Sequence, residues 1–149
     1  MPRGFISVGS NIDRENHILA SIRDLRRSYG ELTLSSVYES EAVGFAGDAF
    51  YNMVVGFDSN QDINAIVKEL RQIELENGRN RDCKKFSART LDLDLLLYGD
   101  ALVNEGRLQI PRDDIEKYAF VLEPLAEIAG ELQHPISGLR YADMWAIFD

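Results

Sequence analysis

Cysteine is almost missing from this chain. Cys83 is the only one, so neither an intrachain disulfide nor a cysteine-built zinc site can form. Histidine is nearly as scarce: His17 falls within a helical stretch and His134 precedes Pro135 in the turn-like QHPISG, and both read as surface residues without catalytic work. Long apolar runs are lacking too. The richest, LDLDLLLY, is far short of the ~20 residues that a membrane-spanning helix needs. MPRGFISVGS has no signal-peptide apolar core, so a cytoplasmic location is the expectation. Positive charge is also in short supply, with 16 basic residues against 25 acidic ones and a formal net charge of −9. Nucleic-acid binding calls for a broad basic surface, which this balance excludes. Neither a membrane nor an obligate protein partner is indicated.

What remains is ordinary globular material. At 149 residues, 45% hydrophobic and 28% charged, the chain reads as one domain over residues 1–149, with no repeat, low-complexity tract or linker. GFISVG reads as a strand ended by the turn GSNID, with Asn11 or Asp13 capping the helix that follows. Ile18, Leu19, Ile22 and Leu25 lie at helical spacing, and Gly30 stops that helix. LTLSSVYES reads as a second strand and FYNMVVGFDS as a third, separated by the glycine-containing EAVGFAGDA. Asp62 caps a second helix with the stripe Ile63, Ile66, Val67, Leu70 and Ile73. RTLDLDLLLYGD supplies the fourth strand. The order is β-α-β-β-α-β, an α+β ferredoxin-like arrangement with an antiparallel sheet. Two helices cover one face, and the C-terminal third, with Trp145 anchoring the tail, adds helices to the other, giving three αβα layers.

The fourth strand contains the first chemical signal. Side chains alternate along a strand, so Asp92 and Asp94 share one face while Leu91, Leu93, Leu95 and Leu97 share the other. Two carboxylates side by side repel unless a cation lies between them, and Mg²⁺ is the hard ion that suits carboxylate and phosphate oxygens. A solvent-facing pair on a half-exposed sheet is the plainer alternative. Immediately upstream, GRNRDCKKFSAR holds Arg79, Arg81, Lys84, Lys85 and Arg89 against the single acid Asp82. Such a basic stretch leading into an Asp-x-Asp strand suits a polyphosphate that carries Mg²⁺. Gly4 and Gly9 imitate P-loop spacing, but Ser10-Asn11 follows where Lys and Ser/Thr are required, so no Walker motif is present.

A second signal lies on strand three. Phe50 and Asn52 share one face, with Tyr51 and Met53 on the other. A ring beside a carboxamide suits a flat heterocycle, by stacking and by pairing with its donor–acceptor edge. A core Phe next to a surface Asn would look the same. Phe120, in YAFVLEPL, offers a second ring for a stacking sandwich.

Taken in order, SVGSN, FYNMVV, QIELENGRNR, RTLDLDLLLYG and AFVLEPLAEIAGEL resemble the 6-hydroxymethyl-7,8-dihydropterin pyrophosphokinase family over nearly the whole chain. The resemblance implies transfer of pyrophosphate from ATP to a pterin alcohol, with two Mg²⁺ ions on Asp92 and Asp94. It implies catalytic, phosphate-binding roles for Arg79 and Arg89, and a pterin site at Ser40, Val43, Phe50, Asn52 and Phe120. For ATP it implies Arg71, Glu74, Arg81, Leu95, Arg107 and Arg112. Departures from the family pattern are Arg112 where histidine is usual, Asp113 beside it, Tyr118 where arginine is frequent and Arg71 where glutamine is. Two other readings remain: a metal-dependent nucleotide-sugar glycosyltransferase, and a pterin- or nucleotide-binding module without turnover.

Overall fold

A computed structural model describes residues 1–41, 49–78 and 91–149. Five strands form the main sheet: β1 (Arg3–Ser10), β2 (Thr33–Leu34), β3 (Tyr38–Ser40), β4 (Phe50–Asp58) and β5 (Asp92–Tyr98). Helix α1 (Arg14–Tyr29) follows β1, and α2 (Ile63–Glu76) lies between β4 and β5. The rest of the chain forms a hairpin of β6 (Val103–Glu105) and β7 (Leu108–Ile110), then α3 (Asp114–Lys117), α4 (Ala119–Ala129) and α5 (Tyr141–Ala146). The sheet order is β2-β4-β1-β5, with β3 also on β4, and every pairing is antiparallel.

Alternation along the strands divides the core in two. On one face Ile6, Val8, Met53, Val55, Leu93 and Leu95 pack with Ile18 and Leu25 of α1 and with Ile66, Leu70 and Ile73 of α2. On the other, Phe5, Val54, Leu96 and Leu97 pack with Ile115, Val121, Leu122, Leu125, Tyr141 and Met144 of the C-terminal helices. Trp145 lies half-buried against this second cluster and stacks with Phe148, so the tail is anchored as expected. Gly30 takes φ +77° and ends α1, and the Asp62 carboxylate accepts from the Ala65 amide at 2.9 Å to begin α2.

Several expectations need correction. Leu97 faces the C-terminal helices rather than sharing a face with Leu95, because Ile6 pairs with Leu95 and Phe5 with Leu97, leaving Leu96 as a bulge that reverses the alternation. Leu19 is 60% exposed, one position off the stripe that Ile18 and Leu25 complete. Asp13 sits at the start of α1 at φ +45° without a side-chain cap bond; its carboxylate instead accepts from Asn16 Nδ2 at 3.0 Å. LTLSSVYES is two strands, not one. Residues 35–37 oppose only 53 and 54 on β4, and there the Ser35 hydroxyl accepts from the Val54 amide at 2.9 Å in place of a backbone carbonyl. The same break sends the Ser36 amide and hydroxyl and the Tyr38 hydroxyl to Glu127 on α4, at 2.9, 2.8 and 2.7 Å.

His134 is the largest departure, being 3% exposed rather than superficial. Its Nδ1 accepts from the amides of Ile136 and Ser137 at 3.1 and 3.3 Å, so the proton belongs on Nε2, which lies 3.4 Å from Glu116. Burial lowers its pKa below the ordinary 6.5, against the opposing pull of Glu116. The unfolded chain therefore takes up this proton at higher pH than the folded one. His134 contributes stability that is complete above pH 6.5 and is lost as pH falls through the lower folded value. Urea denaturation at pH 7.5 and 5.5 should show wild type losing more stability on acidification than His134→Gln; equal losses would refute the assignment.

Candidate active site

The site is built on the pairing of β1 with both its neighbours. Gly9 pairs with Asn52 on one side and Asp92 on the other, while Ser7 pairs with Val54 and Asp94. Directly opposed residues share a face, so Asp92, Asp94, Asn52 and Phe50 all lie on the face covered by α4 and α5. Asp92 and Asn52 stand two strand spacings apart, about 10 Å. Between them Gly9 contributes no side chain. A Cβ there would lie 3.4 Å from Asn52 Oδ1 and 3.8 Å from Phe50 Cδ1, so glycine keeps a trough open between carboxylate and carboxamide.

On the carboxamide side, Asn52 is 5% exposed and its Nδ2 donates to Ser40 Oγ at 2.7 Å, which orients the amide. Phe50 lies half-buried next to it, opposite Ser40 on β3. Phe120 opens α4 in the layer over this same face and stacks on Tyr118, with ring centroids 4.9 Å apart. Val43 lies outside the described residues.

The carboxylate side is dominated by the open edge of β5. Leu93 points its amide and carbonyl outward there, and α2 answers both. Glu74 Oε2 accepts from the Leu93 amide at 2.7 Å, and Arg71 donates to the Leu93 carbonyl at 3.0 Å. Arg71 also bonds Glu74 Oε1 at 2.7 Å and reaches Asp94 Oδ1 at 3.5 Å. Glu74 is 1% exposed, and burial pushes its carboxyl up to about 8, with Asp92 and Asp94 adding to the rise against Arg71 and the Leu93 amide.

From the other side, the Arg112 amide donates to the Leu96 carbonyl at 3.1 Å, which brings the residues after β7 alongside β5. The Arg112 guanidinium stands 4.0 Å from Asp94 Oδ1 and 3.4 Å from Asp114 Oδ2. Burial works against its charge, but Asp94 and Asp114 outweigh that and raise its pKa. Asp113 is turned to Lys117 at 2.7 Å, and that contact lowers its pKa.

Other expected residues stand apart. Leu95 is buried toward α1 and α2, away from the aspartates' face, and Arg107 is exposed in the β6–β7 turn. Arg79, Arg81 and Arg89 lie outside the described residues. Gly9 and Asp114 were not anticipated. A glycine inside an apolar strand is the signal that would have found the first, and the Arg112-x-Asp114 spacing the second.

Among the described residues no three His, Cys, Asp or Glu side chains converge as a metal cage. Mg²⁺ commonly makes do with one or two carboxylates, completing its shell with water and substrate phosphates. Asp92 and Asp94 fit that donor set.

The family model described as 7,8-dihydro-6-hydroxymethylpterin-pyrophosphokinase (HPPK) matches residues 5–130. The 2-amino-4-hydroxy-6-hydroxymethyldihydropteridine pyrophosphokinase of Pseudomonas aeruginosa is 36% identical over 89% of this chain and 84% of its own length. Its Haemophilus influenzae counterpart is 35% identical over 92% and 88%. The folic acid synthesis protein fol1 of Pneumocystis carinii is 36% identical over 93% of this chain, which spans only 19% of that protein. A solved HPPK-DHPS structure in complex with substrates superposes with a TM-score of 0.77 over 97% of this chain and 43% of that one; at 12% identity it speaks for the fold, a mixed arrangement of helices and antiparallel sheet. The chain belongs to the 7,8-dihydro-6-hydroxymethylpterin-pyrophosphokinase family.

Proposed function

We propose that this chain transfers pyrophosphate from ATP to the hydroxymethyl group of 6-hydroxymethyl-7,8-dihydropterin and releases AMP, a step of folate biosynthesis. The observation that carries the reading is the row Asn52–Gly9–Asp92 across three strands. It sets a heterocycle-recognising amide and a pair of carboxylates on one face, with an open trough between them. Family membership favours this reaction over sugar transfer from a nucleotide-sugar. The strand order β5-β1-β4-β2 supports a ferredoxin-like core. The two faces of helices support three αβα layers and a single catalytic domain over residues 1–149. No described helix is long and apolar enough to cross a membrane, and a cytoplasmic setting accords with ATP as substrate.

In the transfer, the pterin alcohol oxygen attacks the β-phosphorus of ATP, and the bond to the oxygen shared with the α-phosphate breaks, leaving AMP with the electron pair, while the alcohol's proton is released to solvent. Asn52 would present its carboxamide to the pterin edge, already oriented by Ser40, and Phe50 and Phe120 would stack on the ring from either side. Val43 would line the same pocket. Asp92 and Asp94 would hold two Mg²⁺ ions, which when bound lower the pKa of the alcohol and offset charge on the phosphates. Arg79, Arg89, Arg81 and Arg112 would donate to phosphate oxygens as charge moves toward the leaving group. Arg71, Glu74, Leu95 and Arg107 would border the nucleotide, Leu95 through its backbone because its side chain is in the core.

Protein, ATP and Mg²⁺ should release AMP only when the pterin alcohol is present; ADP as product would overturn the mechanism. Asp94→Ala should lower kcat by about 10²–10³-fold, on the order of losing one strong transition-state contact, while circular dichroism shows the fold intact. Undiminished turnover in that variant would rule out Asp94 as a metal ligand. Asn52→Ala should raise the pterin KM by about 10–100-fold, the cost of leaving a buried donor or acceptor unmatched, with the ATP KM little changed. An equal rise in both constants would indicate general disruption instead.

A further inference from the structure

Arg14 is a cation in the first turn of α1, where the helix dipole disfavours positive charge. Its contacts show what it gains there. One guanidinium nitrogen donates to the Ala49 carbonyl at 2.8 Å, and another stands 3.1 Å from the Glu39 carboxylate. The guanidinium also lies over the Tyr51 ring, 3.9 Å from its centroid. Ala49 and Tyr51 are the residues on either side of Phe50. Glu39 is opposite Tyr51 and next to Ser40, which is opposite Phe50. Tyr51 packs toward α1, so Arg14 takes hold from the face of the sheet that Phe50 and Asn52 do not share. Phe50 stands where such a hold counts. The ladder with β1 ends at Ser10–Tyr51, one residue short of it, and its ladder partner is Ser40 on the three-residue β3.

We propose that Arg14 is a positioning residue for the pterin site, gripping the chain on both sides of Phe50 from the α1 face and so presetting its ring for stacking. The proposal rests on the reading of Phe50 as one wall of that site. A ring at the end of a strand binds a flat ligand at less cost when the backbone that carries it is already fixed. The planar fork of arginine suits the task, because it meets a carbonyl and a carboxylate at its edge while its flat face covers an aromatic ring. The single ammonium of lysine has no such face. Because Arg14 works from the far side of the sheet, its effect on a ligand passes through Phe50 and is confined to the pterin. A clamp that served only the fold would cost stability without favouring one substrate over the other.

Calorimetric titration of 6-hydroxymethyl-7,8-dihydropterin into protein holding Mg²⁺ and α,β-methylene-ATP, whose bridging carbon blocks the transfer, tests this. Arg14→Gln should weaken pterin binding by about three- to tenfold, a part of what a lost charge-assisted hydrogen bond is worth. Affinity for the nucleotide analogue, measured without pterin, should be unchanged. In a Phe50→Ala background the same Arg14→Gln change should lose most of its effect, since no ring remains to be placed. Unchanged pterin binding by Arg14→Gln, or an equal weakening of pterin and nucleotide, would overturn the proposal. So would a full loss from Arg14→Gln in the Phe50→Ala background. Phe50→Ala alone checks the reading beneath it: if that variant binds pterin as wild type does, Phe50 is no wall of the site and Arg14 has nothing to position. If wild type takes up nucleotide but no pterin, the proposed function itself fails. Should Arg14→Gln not fold, Arg14→Lys decides, because it keeps the charge and gives up the fork. Pterin binding equal to wild type in that variant contradicts the proposal.

Discussion

The candidate site depends on the register of β1 between β4 and β5. Because Gly9 faces Asn52 and Asp92 at once, the two ends of the proposed reaction are fixed by backbone hydrogen bonds rather than by flexible side chains. A slip of one residue on either side would turn its polar groups into the layer beneath α1 and α2. The leucines and valines that fill that layer, Val8, Leu93 and Leu95 among them, make such a slip costly. The hydrophobic pattern and the polar pattern are thus one constraint seen from two faces of the sheet.

The electrostatics follow from where β5 lies. It is an edge strand, and an edge leaves backbone groups in need of partners. In this chain a buried carboxyl group and a guanidinium supply them at Leu93, which brings a cation to the flank of Asp94. A protein with a net charge of −9 thereby keeps cationic groups next to its paired carboxylates. That balance suits a ligand that is itself a polyanion carrying divalent cations.

Much of this was legible in the sequence. The apolar periodicity of α2, the alternation around Asp92 and Asp94 and the shared face of Phe50 and Asn52 are local properties, and the structure has them as read. What escaped was non-local. Leu97 changes face because of a bulge set by β1, and nothing within LDLDLLLY announces it. His134 is buried by a turn whose amides close on its own ring. Ser35 and Ser36 interrupt a strand because they meet Val54 and Glu127, the latter 91 residues away from Ser36. The partnership of Glu74 with Leu93 likewise exists only once α2 packs on β5, although both residues lie in segments that the family resemblance had marked.

The bonds from Ser36 and Tyr38 to Glu127 join the outer edge of the sheet to the last turn of α4. Tyr38 is the residue opposite Asn52, and α4 is the helix that begins with Ala119 and Phe120. The strap therefore ties the strand opposite Asn52 to the helix that carries Phe120. A ring seated as proposed between Phe50 and Phe120 would therefore lie between a strand and a helix that are bonded to each other away from the ring.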